Sequence, residues 1–387
     1  MDQSKKLRVA VLYGGRSGEH DVSLLSAANV IQQLDRHLFD VVPIGIDKQG
    51  AWFLGDDIQQ KSLAQPLALS LPKERERLLF NPDFIGKPPH NLKPTQCLLP
   101  VNTTERLFDV VFPMIHGPLC EDGTVQGLLE LTDVPYVGCG VLASAIGMDK
   151  DVSKRLVQAA GIDVVPYVVL RRGQWDQDKA QCLAQLTQQL RYPVFVKPAN
   201  TGSSVGVEKV KSLAELSPAI ESAFHYDTKI VVEKAIDAIE LEIAVLESLD
   251  PRVEEPMVSL VGEVRPRHEF YSYAAKYLDE QGAEFYIPAH ISEALQEKAR
   301  GIAKSIFKTL ECEGMARVDL FLERGTNTLY FNEINTIPGF TQISMYPKMM
   351  VASGISYQAL LTHLIRLAVA RHERKTQRHH EYGDMSA

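Results

Sequence analysis

The chain has 387 residues, of which 45% are hydrophobic and 23% charged, and its 41 basic and 49 acidic residues give a formal net charge of −8. This composition is typical of a globular protein of two or three domains. The acidic balance argues against a broad nucleic-acid-binding surface, and no apolar run in the sequence is long enough to suggest a membrane span.

The start of the chain and its cysteines indicate a compartment. The first residues run directly into a strand-like segment, without the apolar stretch of a signal peptide, so we expect a cytoplasmic protein. Five scattered cysteines, at positions 97, 120, 139, 182 and 312, form no CxxC pair. They favour neither a zinc site nor a disulfide framework and fit a reducing compartment.

The N-terminal third is predicted to be an α/β unit. A buried-strand run at 6–13 ends at a Gly-Gly turn, helical spacing follows at 22–34, and a second strand follows at 41–46. This order of elements is how a parallel sheet with covering helices begins. We then predict an irregular surface insertion at 56–106, strands at 108–115 and 134–140, and a short helix at 124–131.

Two α+β units are predicted in the rest of the chain. The first opens with a helix at 149–160, which Gly161 closes as a typical C-cap. Its other elements are predicted at 164–170, 176–190, 193–198, 204–210, 213–224 and 229–232. The second unit is predicted to have strands at 241–247 and 255–264, a long polar segment at 266–288, a helix at 293–310, a hairpin at 317–335 and a helix at 357–369.

The last residues are predicted to be a frayed tail. The segment 371–387 is charged and rich in histidine, which is typical of a chain end outside the fold. His379 and His380 leave a metal role open there.

The segment 317–335 contains two apolar runs around a turn-rich stretch, which predicts a β-hairpin. In the expected register Asp319 lies opposite Glu333. Arg317 then lies opposite Asn335, and all four side chains share one face because alternate residues of a strand point the same way. Two facing carboxylates repel unless a cation lies between them, and oxygen ligands of this kind suit Mg²⁺.

A surface hairpin with solvated acids is the alternative to a metal site. The polar loop that follows at 335–341 contains Gly and Pro. Functional groups are enriched on loops held by rigid elements, so this loop favours a site.

A second candidate element is the glycine- and serine-rich segment 197–206. Small residues let a ligand approach the backbone, and successive N–H groups can bind an anion, while Lys197 can meet a phosphate. An ordinary hairpin turn is the alternative. The spacing differs from a Walker A loop, and the turn at 14–18 lacks the dinucleotide fingerprint, which disfavours a nicotinamide-binding domain.

Seven dispersed motifs resemble those of one family, in the same order. They lie at 19–23 after the Gly-Gly turn, 116–127, 148–150, 197–206, 275–277, 317–319 and 332–339. With them, the chain from about Leu7 to Ala370 closely resembles the D-alanine–D-alanine ligases, which are ATP-grasp enzymes. Residues 56–106 resemble the longer subgroup of that family, and Cys120 stands where the family commonly has glycine.

The resemblance implies an α/β protein of three-domain ATP-grasp architecture. An N-terminal parallel α/β domain would span 1–138, and a central ATP-grasp subdomain with the glycine loop would span 139–233. A C-terminal ATP-grasp domain with a lid loop and the metal hairpin would span 234–387. The last two would clamp ATP between them.

The resemblance also implies the reaction. The enzyme would join two D-alanines to D-alanyl-D-alanine through a D-alanyl phosphate, with ATP as co-substrate and ADP as product, in peptidoglycan synthesis for cell wall biogenesis and cell shape. It would use two Mg²⁺ or Mn²⁺ ions. Its partners would be D-alanine and ATP, with no nucleic acid and no membrane, and it would form a homodimer in the cytoplasm.

Individual roles follow from motif positions by the same resemblance. The residues implied in ATP binding are Lys150, Lys197, Ser203, Glu233, Ala235, Ile236 and Glu240. The implied metal ligands are Asp319, Glu333 and Asn335. The residues implied in D-alanine binding are Glu19, His116, Lys276 and Ser344. The groups implied in catalysis are Glu19, Ser203, Tyr277, Arg317, Gly339 and Ser344.

Three alternatives stay open at this point. Another ATP-grasp ligase could make a different product such as D-alanyl-D-lactate, although Tyr277 favours the dipeptide because related depsipeptide ligases replace this tyrosine. A non-catalytic nucleotide-binding protein would be expected to have lost metal ligands or oxyanion donors. A dehydrogenase lacks support because the dinucleotide fingerprint is missing.

Overall fold

The first sheet has parallel strands at its centre. This computed structural model describes residues 6–55, 77–78, 107–267 and 282–377. Strand β1 (Leu7–Gly14) pairs in parallel with β2 (Phe39–Ile46) and with β5 (Val110–Pro113). Strands β3 (Trp52–Leu54) and β4 (Arg77–Leu78) extend the sheet in antiparallel fashion to the order β4-β3-β2-β1-β5. The predicted parallel α/β unit is confirmed.

The insertion predicted at 56–106 lies mostly outside the described residues. Its described part, β4, pairs with β3 and therefore belongs to the sheet rather than to irregular structure.

Three helices accompany this part of the chain: α1 (His20–Gln33), α2 (Thr124–Leu131) and α3 (Val141–Met148). The strand predicted at 134–140 is wrong. Only one isolated bridge forms there, between Val111 and Tyr136, and Gly138 turns the chain with a φ of 96°. Helix α3 was not predicted because its residues are apolar or small and show no polar face.

The second sheet is antiparallel, with the order β6-β9-β7-β8. Its strands are β6 (Tyr167–Arg171), β7 (Val194–Pro198), β8 (Glu208–Val210) and β9 (Lys229–Lys234). Its helices are α4 (Lys150–Ala159), α5 (Arg172–Gln177), α6 (Lys179–Gln189) and α7 (Leu213–Ala223). The helix predicted at 176–190 is confirmed over most of its length as α6, but it is not continuous from 176, because Asp178 leaves the helical backbone region and its carboxylate caps α6 by accepting from the Gln181 amide.

The third sheet has the order β13-β12-β10-β14-β15, and β11 pairs with β10 beside it. Its strands are β10 (Ala238–Leu246), β11 (Met257–Val258), β12 (Gly262–Pro266), β13 (Ala283–Tyr286), β14 (Met315–Glu323) and β15 (Leu329–Asn335). Helix α8 (Glu293–Thr309) packs on β10 and β14. The strand predicted at 255–264 is thus two strands, and the segment predicted at 266–288 includes β13, while 268–281 lie outside the described residues.

The hairpin register predicted from the sequence is confirmed. Strands β14 and β15 pair with Asp319 opposite Glu333 and Arg317 opposite Asn335. The register shifts between Asp319 and Leu320, so the bulge lies immediately beyond the polar pair.

Two helices end the described chain: α9 (Met345–Ala352) and α10 (Tyr357–Thr376). The tail predicted from residue 371 onward is therefore wrong for 371–376; His379 and His380 lie outside the described residues. The Arg371 guanidinium is buried and donates to the Tyr136 and Gly138 carbonyls at 2.7 and 2.6 Å. These contacts are far from Arg371 in sequence, so composition could not indicate them.

The largest hydrophobic core joins the beginning and the end of the chain. Val11 and Phe112 of the first sheet share it with Phe340 and with Leu361 and Leu364 of α10. Helix α10 is thus packed against the N-terminal sheet, with α1 alongside it. Among the described residues, no helix combines the length and apolarity needed to cross a membrane.

Candidate active site

The polar face of the β14–β15 hairpin is held together by one arginine. Arg317 donates to both oxygens of Asp319, at 2.7 and 2.6 Å, and its Nε lies 3.2 Å from Glu242 Oε2 on the neighbouring strand β10. Asn335 Nδ2 also donates to Asp319, at 3.2 Å. Burial acts to lower the pKa of Arg317, but Asp319 and Glu242 outweigh it and raise that pKa well above its ordinary range.

A carboxylate pair at this face has the chemistry of a divalent-cation site. Asp319 and Glu333 face each other across the hairpin, and the Asn335 amide is next to them. Two carboxylates with an amide oxygen form a hard donor set, which suits Mg²⁺ when substrate phosphates complete the coordination. In the described part of the chain, no cluster of three or more His, Cys, Asp or Glu side chains could hold a metal ion.

Lys150 connects this face to the glycine loop. It is the first residue of α4, and Asp149 caps that helix by accepting from the Asp151 and Val152 amides. The Lys150 ammonium lies 3.2 Å from Glu333 Oε2 and donates to the Thr201 carbonyl at 2.7 Å. A cation is therefore fixed between the hairpin acids and the loop.

The glycine loop makes a tight turn through left-handed residues. Ser203 and Ser204 both adopt left-handed φ values, of 50° and 58°, and Gly206 follows with a φ of 71°. A Cβ on Gly206 would lie 2.6 Å from the Tyr226 ring, so glycine is needed there for space as well as for conformation. The Val205 amide donates to the Gly202 carbonyl at 3.0 Å, as in a type I′ β-turn, and the small side chains of the loop leave room for a ligand to approach the backbone.

Glu19 joins the first sheet region to the glycine loop. It is the N-terminal cap position of α1, is only 7% exposed, and accepts a hydrogen bond from Ser203 Oγ. A Cβ on Gly117 would lie 2.6 Å from Glu19 Oε2, and a Cβ on Gly202 would lie 3.1 Å from it. Two glycines thus make room for this carboxylate.

A buried ion cluster lies beside the loop, and the sequence indicated two of its three members, Lys197 and Glu233. Lys197 Nζ and Lys154 Nζ each lie 3.3 Å from the same oxygen of Glu233, Oε2. Glu233 and Lys154 are almost completely buried. Burial acts to raise the pKa of Glu233, but the two lysines lower it below its ordinary range. Lys154 was missed in the sequence, although it lies four residues after Lys150 and so on the same helix face.

The strand end after Glu233 provides backbone groups at the candidate adenine position. The Ala235 amide donates to the Pro193 carbonyl at 3.0 Å, so Ala235 could contact a base through its carbonyl only. Ala235, Ile236 and Glu240 are half-buried. Glu240 lies on β10, between Val264 and Phe321 of the neighbouring strands.

His116 is buried behind Glu19 with partners on both ring nitrogens. Nδ1 lies 3.2 Å from the Ile337 carbonyl and 3.3 Å from Glu121 Oε1, and Nε2 lies 3.1 Å from Ser26 Oγ. Burial by itself would lower the pKa of His116, but the hydrogen bond and charge of Glu121 together with the charge of Glu19 raise it.

The loop after β15 is tied to α1 by side chains that the sequence did not single out. The Phe340 carbonyl accepts from Asn29 Nδ2 at 2.7 Å and from the Tyr357 hydroxyl at 2.8 Å, and the Phe340 amide donates to Ser26 Oγ at 3.3 Å. Gly339 immediately precedes this anchor. The sequence signal that could have indicated these contacts is the presence of the polar residues Ser26 and Asn29 among the apolar residues of α1.

Ser344 lies against Gly339 at the start of α9. Its hydroxyl accepts from the Thr341 amide at 2.9 Å, and a Cβ on Gly339 would lie 2.8 Å from it. Glycine at 339 therefore allows this close approach.

The structure brings most of the predicted site residues to neighbouring elements, and two lie beyond its reach. Lys276 and Tyr277 lie outside the described residues. Cys120, at a position where the family commonly has glycine, is accommodated because the left-handed positions of that loop are Gly117, Leu119 and Gly123 rather than residue 120.

Comparison with known proteins gives consistent matches along the chain. The family model described as D-ala D-ala ligase N-terminus matches residues 8–139, and the one described as D-ala D-ala ligase C-terminus matches residues 156–366. A D-alanine–D-alanine ligase A of Bradyrhizobium diazoefficiens is 52% identical over 379 residues, which cover 96% of this chain and 97% of that protein.

Solved structures give the same result. The VanG D-Ala:D-Ser ligase from Enterococcus faecalis superposes with a TM-score of 0.78 at 34% identity, over 94% of this chain and 100% of that one. The D-alanine–D-alanine ligase from Coxiella burnetii superposes with a TM-score of 0.77 at 34% identity, over 97% of both chains.

Proposed function

We propose that this chain, which belongs to the D-alanine–D-alanine ligase family, joins two D-alanines to D-alanyl-D-alanine and converts one ATP to ADP and phosphate. The fold is accordingly that of an ATP-grasp enzyme. The observation that carries the proposal is the meeting of the acidic hairpin face, Lys150 and the glycine loop, since transfer of a phosphoryl group needs acids for a metal and cations for the phosphates in one place.

The facing carboxylates support a magnesium site. Asp319, Glu333 and Asn335 would supply oxygen ligands to Mg²⁺ or Mn²⁺, and we propose two ions. Bound divalent ions would neutralise the negative charge that develops on the transferred phosphoryl group. Arg317 keeps Asp319 in one orientation through two hydrogen bonds, so the carboxylate is already aligned before a ligand arrives.

ATP would bind between the second and third sheets. Lys150, Lys197 and the loop around Ser203 would hold the phosphates, because they combine two ammonium groups with a tight turn of small residues that a phosphate can approach closely. Glu233 would accept from the adenine amino group. The backbone at 235–236 would follow the edge of the ring; the groups that remain for this are the Ala235 carbonyl and the Ile236 amide, since the Ala235 amide already donates to Pro193. Glu240 on β10 would bind the ribose.

The first D-alanine would bind near Glu19 and His116. Glu19 would accept from its ammonium group, and His116 would lie near its carboxylate. One carboxylate oxygen attacks the γ-phosphorus of ATP, the bond to the β–γ bridging oxygen breaks, and ADP leaves as D-alanyl phosphate forms. Although burial acts to lower the pKa of His116, Glu121 and Glu19 raise it, which favours the protonated ring beside this carboxylate.

The second half-reaction forms the peptide bond. The amino nitrogen of the second D-alanine attacks the acyl carbon, loses a proton, and phosphate leaves. Arg317 and the Gly339 amide would stabilise the carbonyl oxygen as it becomes negative in the tetrahedral intermediate. Ser344, which lies against Gly339, would hold the carboxylate of the incoming D-alanine together with Lys276.

Contact between Glu19 and Ser203 supports a closed arrangement of the site. It joins the residue proposed to bind D-alanine to the loop proposed to bind phosphate. Tyr277 is proposed to complete this link. Exclusion of water would protect the acyl phosphate from hydrolysis, which would otherwise waste ATP.

We propose a homodimer that acts in the cytoplasm, where ATP is present. Four cysteines are free thiols in the described part of the chain, which is consistent with a reducing compartment. Sedimentation of the purified protein would measure the oligomeric state, and a monomer at the enzyme's working concentration would contradict the dimer.

Product analysis tests the proposed function. We expect purified protein with ATP and Mg²⁺ to release one phosphate per D-alanyl-D-alanine and to need D-alanine for that release. Parallel reactions with D-serine or D-lactate as the second substrate identify the acceptor, a relevant choice because one superposing structure is a D-Ala:D-Ser ligase. Absence of D-alanine-dependent phosphate release would rule the proposal out. If D-alanyl-D-serine or D-alanyl-D-lactate formed faster than D-alanyl-D-alanine, the assigned acceptor would change.

A further inference from the structure

Lys154 occupies an unusual position for a lysine. Its side chain is only 1% exposed, although lysine is almost never fully buried without a partner. It points from α4 into the space between two sheets, where its ammonium lies 3.3 Å from Glu233 Oε2 and 3.4 Å from the Phe331 carbonyl. The Tyr167 ring lies beneath it, with its centroid at 5.8 Å.

Lys154 shares its carboxylate with Lys197, but the two lysines differ in access. Both ammonium groups lie 3.3 Å from the same oxygen of Glu233. Lys197 is 11% exposed and sits at the start of the glycine loop, so it can reach a ligand. Lys154 is enclosed and has no route to a phosphate. One lysine is therefore able to move to a ligand while the other stays with Glu233.

This difference matters for the charge of Glu233. If Lys197 moved to a phosphate without Lys154 present, Glu233 would remain as a buried carboxylate with no cation beside it. Such a group is strongly destabilised by burial and tends to take up a proton. With Lys154 in place the carboxylate keeps an ammonium partner on Oε2, and its other oxygen, Oε1, can face a nucleobase.

We propose that Lys154 is a positioning residue that makes the site selective for a 6-amino purine. It holds Glu233 ionised and oriented, so that the carboxylate can only accept hydrogen bonds. An adenine amino group donates to such a carboxylate, whereas the 6-oxo group of hypoxanthine or guanine would repel it. The proposal rests on the proposed role of Glu233 as the adenine acceptor, and it assigns the selection to a side chain that never touches the nucleotide.

Nucleotide binding by calorimetry with ATP and with ITP tests the proposal without any need for turnover. ITP carries an oxo group in place of the 6-amino group and is otherwise a close match. In the unmodified protein we expect ATP to bind at least tenfold more tightly than ITP, since a site built to pair with a substrate group rejects the analogue that lacks it by about 10²-fold or more. Equal binding of ATP and ITP would overturn the proposal even if the ligase activity stands.

Lys154→Met is the decisive variant, and Arg155→Met is its matched control. Arg155 is the next residue on α4, carries the same charge, is exposed, and pairs with Asp151, which also has Lys229 as a partner. We expect Lys154→Met to weaken ATP binding by about 10–100-fold and to bring the ATP-to-ITP ratio within threefold of unity. The Arg155→Met control should retain both the ATP affinity and the ATP-to-ITP ratio of the unmodified protein. Weaker binding of ATP and ITP by the same factor in Lys154→Met would indicate a structural role only and would refute the selection.

Turnover and a second variant separate selection from folding. In the ligase assay Lys154→Met should raise the KM for ATP by at least about tenfold while the KM for D-alanine changes less than threefold. If that variant does not fold, Lys154→Gln keeps a hydrogen-bond donor beside Glu233 without the charge, and it should fold and again lose the preference for ATP. A Lys154→Gln protein that still prefers ATP over ITP tenfold would contradict the proposal. A protein that binds ATP selectively but forms no dipeptide would refute the proposed function alone.

Discussion

The carbonyl of Phe340 offers a direct way to test how the loop at Gly339 is held. Two side chains donate to this carbonyl: Asn29 from α1 and Tyr357 from α10, at 2.7 and 2.8 Å. Asn29 also donates to the Tyr357 hydroxyl at 2.8 Å. Asn29→Leu and Tyr357→Phe remove these donors singly while largely keeping side-chain volume, and the double variant removes both.

The expected magnitudes follow from the number of donors left. Each single variant leaves the Phe340 carbonyl with one donor, and one lost hydrogen bond costs about 0.5–1.5 kcal/mol, so we expect each to lower the free energy of unfolding by about 1 kcal/mol. The double variant leaves a buried carbonyl without either donor, which costs about 1–3 kcal/mol in its own right. The loss of unfolding free energy in the double variant should therefore exceed the sum of the two single losses by about 1 kcal/mol, as expected for residues in one network.

Urea unfolding measures the loss of stability in these variants, and turnover separately measures the loss of catalytic rate. Circular dichroism gives the free energies of the four proteins of the cycle, and dipeptide formation gives their rates. A displacement of about 1 Å near the reacting atoms can cost about 10²-fold in rate, so we expect the double variant to lose at least that factor while its KM for ATP stays close to normal. Strict additivity of the free energies, together with unchanged turnover in the double variant, would refute this account of the loop.

Three further predictions test other parts of the molecule. Glu333→Gln should lower ligase turnover by at least about 10²-fold through loss of a metal-binding charge, whereas Glu323→Gln at the turn end of the same hairpin should stay near normal; an active Glu333→Gln enzyme would refute the metal assignment. Arg371→Met should lower the free energy of unfolding by about 2–4 kcal/mol, because two buried carbonyls lose their donor. Arg366→Met, at an exposed position on the same helix, should change the free energy of unfolding by less than about 0.5 kcal/mol. Equal effects of the two variants would contradict the anchoring role of Arg371. His116 has a raised pKa, so its contribution to stability is complete below its unfolded pKa of 6.5 and is lost as the pH rises through its folded pKa. His116→Gln should therefore flatten the fall in Tm above pH 6.5. An unchanged slope of Tm against pH would contradict the charge assignment.

The hairpin could be predicted from sequence because its information is local. The alternation of polar and apolar residues fixes which side chains share a face, and a short turn fixes the register, so Asp319 and Glu333 were correctly placed opposite each other. The parallel N-terminal sheet was predictable for a similar reason, since a strand, a glycine turn and a helix in succession leave few arrangements.

The errors arose where the deciding contacts are distant in sequence. Helix α3 consists of small and apolar residues that pack on β15, and a Cβ on Gly147 would come within 3.1 Å of Ile334, so tertiary packing rather than periodicity defines it. Arg371 looked like a residue of a polar tail because the carbonyls that bind it belong to Tyr136 and Gly138. Lys154 was not identified from the sequence because its partner, Glu233, lies on a strand far from it in the chain.

The shared core of the first sheet and the last helix has a consequence for synthesis of the chain. Leu361 and Leu364, which contribute to the same core, are made about 350 residues after Val11. At about 5–20 residues per second, roughly 20–70 s pass between the two, and during that time the part of the core that α10 covers is open to solvent. This part of the nascent chain is then apolar surface of the kind that a chaperone can bind.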